Sequence, residues 1–309
     1  MQSSTETLTT TDGVDLFLHV WTPDGSPRGI VQIVHGLAEH GGRYARFAEA
    51  LTGAGWAVIA DDHRGHGQTA RTAADVGHFA DDDGWNKAVA DVEAIAAHAR
   101  SKWPGVKLVR FGHSMGSSLT LHALSRYPGS VSAAVLSGPT GVVGPLRKIG
   151  LVVARLERLR LGKRGRSRLL HAMSFGDFNK AFEPARTAFD WLSRDEAEVD
   201  KYIHDPKCGF VVTTQHWVDH LVGLGEMVDL DNLALIPKKL PVRIIAGSKD
   251  PVSKAGKQLS ALWGGMRQVG MSDVTERIWV EARHELLNDV VRDDVTADVL
   301  GWLEQHFPR

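Results

Sequence analysis

The sequence predicts an α/β fold: a mostly parallel sheet with helices on both faces, interrupted by a helical insertion. Three observations predict it. Short apolar runs such as Gly29–His35 and Trp56–Ala60 alternate with longer stretches of helical spacing, as in a parallel sheet buried on both faces. From about Gly141 to Asp229 the alternation stops, and the pattern is helical and irregular with no clear buried strand. It resumes at Val242 and continues to the last residues.

Taken in order, Thr9–Trp21 reads as a hairpin, because Thr10-Thr11-Asp12-Gly13 is a turn signal and Val14–Trp21 is rich in strand formers. Gly29–His35 is a buried strand ending in His-Gly, Tyr44–Thr52 has helical spacing, and Trp56–Ala60 is a second short strand. Trp85–Arg100 places Ala88, Val92, Ile95 and Ala96 on one helix face. Val106–Phe111 is a strand, Met115–Arg126 a helix closed by Pro128-Gly129, and Val131–Leu136 a strand. After the insertion, Pro237 to Pro241 leads into a strand at Val242–Ala246, a helix at Lys254–Leu262, a strand at Val274–Val280 and a helix at Asp289–His306. The chain therefore divides into a first core part, 1–141, a helical cap, 142–227, and a second core part, 228–309.

With 309 residues, 43% hydrophobic and 24% charged, the chain can bury a large core and is neither disordered nor fibrous. Lys and Arg number 36 against 37 Asp and Glu, so no basic field exists to hold nucleic acid. No apolar run approaches a ~20-residue membrane span. Cys208 is the one cysteine, which excludes an intrachain disulfide and a cysteine-built metal site. Met1 to Glu6 lacks the basic and apolar regions of a secretory signal, so a cytoplasmic protein is expected.

Gly112-His113-Ser114-Met115-Gly116 matches G-x-S-x-G, and it follows an apolar strand and opens a helix. That is the context of a nucleophile elbow, where glycines leave room for a turn too tight for side chains beside the serine. A serine hydroxyl attacks only when a base takes its proton, so a histidine and an orienting carboxylate should follow. Asp250, in Gly247-Ser248-Lys249-Asp250-Pro251, and His284, in Ala282-Arg283-His284-Glu285, each lie just past a strand. That puts both at the sheet edge expected for Ser114, where open α/β sheets bind ligands. An oxyanion hole needs two backbone N–H donors; Met115 follows the nucleophile, and Leu37 sits in the loop after the first buried strand. Rival chemistries lack parts. His284-Glu285-Leu286-Leu287-Asn288 begins like a zinc-protease helix but has Asn288 where a second histidine belongs, and no dinucleotide or P-loop fingerprint is present. Neither a cofactor nor a metal is expected.

The chain resembles α/β-hydrolases of the monoacylglycerol lipase and lysophospholipase group. The resemblance rests on His35-Gly36-Leu37-Ala38-Glu39-His40 with Gly42-Arg43-Tyr44, on Asp62-His63-Arg64-Gly65-His66-Gly67-Gln68, on Gly112–Gly116, on Gly247–Pro251 and on His284-Glu285. It covers most of residues 10–309, and Thr187–Arg194 and Asp205–Phe210 resemble bacterial members described as lysophospholipases. It implies a mostly parallel sheet of about eight strands, a mobile cap and cofactor-free hydrolysis of single-chain lipid esters. It also accounts for His63 and His66 without a metal. Two positions depart from the family pattern, which usually has glycine at Ala38 and at Ser117. Lys107 and Arg110 lie in the expected central strand, where an ion should be paired or reach the sheet edge.

Arg147–Arg168 holds nine Lys and Arg against one acid, Glu157, with an apolar stripe of Ile149, Val152, Val153, Leu156 and Leu159. The favoured reading is a cap helix whose stripe packs over the site while its charges stay solvated; the alternative is transient contact with an anionic membrane surface. The sequence thus points to a serine ester hydrolase with Ser114, Asp250 and His284 as triad and Leu37 and Met115 as oxyanion donors. Its expected substrate is a single-acyl lipid ester. The rivals are an esterase for small alkyl or aryl monoesters, including phthalate-type monoesters, a proline-iminopeptidase-like peptidase, and a non-catalytic scaffold.

Overall fold

The computed structural model describes residues 1–141, 144–254 and 256–309. In chain order the core begins with β1 (Gln2–Thr9), β2 (Asp15–Thr22), β3 (Gly29–Val34), α1 (Ala45–Gly53), β4 (Trp56–Asp62), α2 (Gly84–Lys102), β5 (Lys107–His113), α3 (Met115–Arg126) and β6 (Ala133–Ser137). A helical insertion follows: α4 (Leu146–Leu161), α5 (Arg168–Phe175), α6 (Glu196–His204), α7 (Thr214–Glu226) and α8 (Leu230–Ala234), with 3-10 turns at Lys180–Phe182 and Asp190–Leu192. The core closes with β7 (Val242–Gly247), α9 (Lys257–Gln268), β8 (Val274–Trp279) and α10 (Arg292–His306).

The strands form one eight-stranded sheet in the order β1-β2-β4-β3-β5-β6-β7-β8. β1 pairs antiparallel with β2, and β2 antiparallel with β4, while all other neighbours are parallel. The mostly parallel eight-stranded sheet and the helical insertion are as expected. β3, β4 and β6 are buried at every residue, which is why they read as near-continuous apolar runs. Successive residues feed opposite faces: Ile30 joins the cluster with Leu121 and Ile244, and Val31 the cluster with Phe47 and Trp302. Parallel strands bring the C-terminal ends of β3, β5, β7 and β8 to one edge, and the candidate residues lie there.

Several details depart from the sequence reading, each for a physical reason. β1 starts at Gln2, well before the expected hairpin, because this edge strand is polar and mostly exposed and so carries no hydrophobic signal. The last helix starts at Arg292, not Asp289, because the buried Asp289 carboxylate instead accepts from the Arg194 backbone N–H (3.0 Å) and its Nε (2.9 Å). The boundary expected at residue 142 lies outside the described residues. Arg110 is fully buried on β5, and its partners are Gln32 on β3 (Nε to Oε1, 2.9 Å) and Glu93 on α2 (3.2 Å). Lys107 sits at the exposed start of the same strand.

The largest correction concerns α4. Ile149, Val152, Leu156 and Leu159 are 56–80% exposed, so four of the five stripe residues face outward instead of packing over the site, while Val153 packs with Ala154 and Trp217. The helix buries Ala154 and Glu157, and Gly150 lies near Leu221 on α7; small residues let the two helices approach closely. Much of the basic stretch is engaged internally: Arg158 bonds Gln215, Arg160 pairs with Glu157, Lys163 with Asp82, and Arg166 bonds the carbonyls of Ala73, Val76 and Val211. Among the described residues, the exposed Lys148, Arg155 and Arg168 have no such partner. No helix among the described residues is long and apolar enough to cross a membrane.

Candidate active site

Ser114 connects the end of β5 to the start of α3 with φ +51°, ψ −119°, a conformation an L-residue holds only when its surroundings impose it. The surroundings are visible. A Cβ at Gly112 would come within 2.5 Å of the Gly116 carbonyl and of Thr120 Oγ1, and one at Gly116 would overlap the Val34 carbonyl. The Ser114 N–H donates to the Ser137 carbonyl (2.9 Å), tying the turn to the end of β6. Ser117, where the family usually has glycine, adds a brace: its hydroxyl lies 2.7 Å from the Gly112 carbonyl and 3.0 Å from that of Ser137.

Asp250 and His284 come together as the spacing suggested. His284 Nδ1 lies 3.0 Å from Asp250 Oδ1, and both side chains are buried. The same carboxylate oxygen accepts the Val252 N–H (2.9 Å), which fixes its orientation. The loops carrying the pair are laced to each other by Ser248 N–H to the Trp279 carbonyl (2.9 Å) and Lys249 N–H to the Ala282 carbonyl (3.0 Å). Burial pushes the His284 imidazole down, but the charge and hydrogen bond of Asp250 more than offset it, so it lies above an ordinary histidine.

The His284 ring is 4.8 Å, centroid to centroid, from that of His113, the residue before Ser114, and a Cβ on Gly138 would approach its Nδ1 to 3.1 Å. The serine and histidine thus share one edge, although no hydrogen bond joins their side chains. Among the described residues, neither the Leu37 nor the Met115 N–H donates to a turn or loop carbonyl. Gly36 brings the two loops close, since a Cβ there would sit 3.2 Å from Ser114 Cβ.

His35 and His63, one from each of the two early motifs, tie their loops together. His35 Nδ1 lies 2.8 Å from the Gly36 carbonyl, and its Nε2 accepts the His63 N–H (2.9 Å). His63 stacks on it at 3.7 Å and reaches Asp61 (2.6 Å) with Nδ1. Asp62 accepts the N–H groups of Gly41 (2.9 Å) and Gln68 (2.6 Å). These bonds fasten the loop that bears Leu37.

Three residues that the sequence reading left without a role form a buried bridge beside the site. Arg43 donates to Glu39 (2.7 Å) and, with both terminal nitrogens, to Glu285 (2.7 Å each). Glu39 also takes the Gly36 N–H (2.5 Å) and the Tyr44 hydroxyl (2.9 Å). The bridge therefore runs from the Leu37 loop to the residue after His284. Two signals were present in the sequence: the four-residue spacing of Glu39 and Arg43, and an acid directly after the candidate base. The insertion touches the same loops. Glu285 N–H donates to the Leu192 carbonyl (2.8 Å), and the Trp191 ring lies 5.2 Å from His284.

The sheet order and the constrained serine turn at the end of β5 are those of an α/β-hydrolase of the serine-hydrolase class. A family model described as serine aminopeptidase, S33 (Hydrolase_4) matches residues 25–290, and the chain belongs to that family. It is 30% identical over 296 residues to a monoacylglycerol lipase of Mycolicibacterium smegmatis, covering 96% of this chain and 95% of that protein. It is 28% identical over 302 residues to the monoglyceride lipase of Homo sapiens, covering 96% and 89% respectively. The crystal structure of a thermostable carboxyl esterase from Bacillus coagulans, in complex with glycerol, matches with TM-score 0.91 and 26% identity over 99% of both chains.

Proposed function

We propose that this serine hydrolase cleaves esters of single-acyl lipids, monoacylglycerols or lysophospholipids, through an acyl-enzyme. Ser114 attacks the ester carbonyl while His284 takes its proton, and His284 returns that proton to the departing alcohol. Asp250 holds the imidazole in the required tautomer and stabilises its cationic form. The N–H groups of Leu37 and Met115 stabilise the oxyanion, and a water activated by His284 then releases the fatty acid. The steps use only these groups and water, without metal or cofactor.

The observation that carries the substrate class is the apolar cluster in the insertion, here read as a cap. Trp191, Leu192 and Tyr202 pack with Phe175, Phe178, Phe182 and Phe189, and Trp191 meets His284 directly. So much apolar surface beside the base suits an acyl chain better than acetate. A buried CH₂ is worth ~0.8 kcal/mol, so kcat/KM should rise about fourfold per added methylene until the site is full. A series of p-nitrophenyl esters and 1-monoacylglycerols measures this, with diacyl lipids expected to be poor substrates. A profile that peaks at acetyl would transfer the assignment to a small-ester esterase. The family description names an aminopeptidase, so amino-acid amides belong in the same panel. Hydrolysis of those alone would establish the peptidase.

The outward face of α4 supports a second part of the proposal, transient contact with an anionic lipid surface. Ile149, Val152, Leu156 and Leu159 would enter the interface, with Lys148 and Arg155 beside them. Leu156→Asp should lower, several-fold, the ratio of turnover in anionic vesicles to turnover of dissolved ester. An unchanged ratio would remove the surface contact and leave the substrate class standing.

Neutral His284 is the working form, so kcat/KM should rise with pH. Because Asp250 holds the imidazole above its ordinary value, the midpoint should lie above about 6.5. A profile flat from pH 5 to 8 would contradict His284 as the base.

A further inference from the structure

The loop from His35 to His40 is gripped from two sides, and the grips come from different parts of the chain. On the core side, Glu39 accepts the Gly36 N–H (2.5 Å) and His35 accepts the His63 N–H (2.9 Å). On the cap side, the Ala38 carbonyl accepts two hydrogen bonds, from the Tyr202 hydroxyl on α6 (3.0 Å) and from the Gly209 N–H (2.9 Å). His40 adds a contact from its Nε2 to Asp205 (2.9 Å). Leu37 lies between the grips. Its side chain packs on the core cluster of Trp85 and Met115 and on the cap cluster of Val212 and Trp217.

Ala38 has φ +55° and is buried. A residue with a Cβ enters this left-handed region only under constraint, whereas glycine enters it freely. The Gly36–Glu39 bond closes the loop through a side chain. It leaves the Ala38–Glu39 peptide plane to be set by whatever its carbonyl meets, and the carbonyl meets Tyr202 and Gly209. A sequence with alanine here needs an outside hold to keep the turn, and the cap supplies it.

We propose that Tyr202 is a positioning residue for the oxyanion hole: through its hydroxyl on the Ala38 carbonyl, the seated cap holds the Leu37 amide in place. The proposal rests on the reading of Ser114 as nucleophile and Leu37 as oxyanion donor. Its consequence is that the hole is complete only with the cap docked. Displacing the cap then both opens the site and disarms it, even toward a small dissolved ester that needs no acyl pocket.

The test is a thermodynamic cycle on p-nitrophenyl butyrate. Tyr202→Phe keeps the ring and its packing against Arg43, whose guanidinium lies 4.9 Å from the ring centroid, and removes only the hydroxyl. Its kcat should fall about tenfold with KM within about twofold, the pattern of a loss confined to the transition state. In an Ala38→Gly background the loop reaches its turn without the hold, so the same tyrosine change should cost less than about threefold. A kcat for Tyr202→Phe within twofold of wild type overturns the proposal. So does a loss of equal size in both backgrounds, which, with a lowered melting temperature, would make Tyr202 a packing residue. Ser114→Ala in the same assay separates the two levels. If it retains activity, the parent reading has failed; if it is inactive while Tyr202→Phe is not, only the clamp has.

Discussion

Ser114→Ala should lower kcat/KM for a p-nitrophenyl ester by ~10⁴-fold or more, while the melting temperature stays within a few degrees of wild type. The size follows from what is lost: without the hydroxyl no acyl-enzyme forms, and water must attack directly under the residual influence of the oxyanion donors. The fold should tolerate the change, because the turn is held by the Ser114 backbone N–H on the Ser137 carbonyl and by the Ser117 hydroxyl, both of which remain. Alanine also suits the space beside Gly36, whose missing Cβ already leaves room for Ser114 Cβ. Labelling by a fluorophosphonate should disappear in the same variant. Retention of a tenth of the activity would remove Ser114 from the chemistry and leave its strained turn without a reason.

The sequence offered these candidates because each is announced locally. Ser114 stands between glycines after an apolar strand, and Asp250 and His284 each follow a strand within a few residues, so topology alone brings them to one edge. What it concealed is long-range or directional. Arg43 and Glu285 are 242 residues apart, and nothing near either one says that they meet. Arg110 looked like an ion stranded in a strand, since its partner Glu93 belongs to a helix packed on the sheet face. The stripe on α4 was legible as a stripe, but amphipathic spacing states only that one face is apolar. Which way it points was decided by Gly150 and Ala154, whose smallness lets the opposite face dock on α7. Ala38 was visible as a departure from the family pattern, and its cost became definable only once its φ and its two donors from the insertion were known.

Arg43→Met should strongly damage the fold. The Arg43, Glu39 and Glu285 side chains are 11%, 4% and 7% exposed, so removing the guanidinium leaves two carboxylates in the interior without their cation. Breaking such a buried pair from one side costs ~3–5 kcal/mol, far more than a surface ion pair. At ~2 °C per kcal/mol for a chain of this size, the melting temperature should drop by roughly 6–10 °C. Activity should fall with it, because Glu39 closes the Leu37 loop and Glu285 follows His284. Arg43→Lys should be intermediate, keeping the charge but losing the fork that reaches both oxygens of Glu285. The pH dependence separates this account from a simple packing defect. Burial alone would push the Glu285 carboxyl up, and the charge and hydrogen bonds of Arg43 pull it well below the usual range. In the wild type, Glu285 therefore adds stability above its unfolded value of about 4.3, lost as pH falls further. With Arg43 gone the sign reverses: burial then pushes the Glu285 carboxyl up, and its cost is relieved as it takes up a proton. The melting deficit of Arg43→Met should therefore shrink between pH 8 and pH 5, and adding Glu285→Gln should recover part of it at pH 8. A deficit constant across that range would mean that Arg43 supports the fold by packing alone.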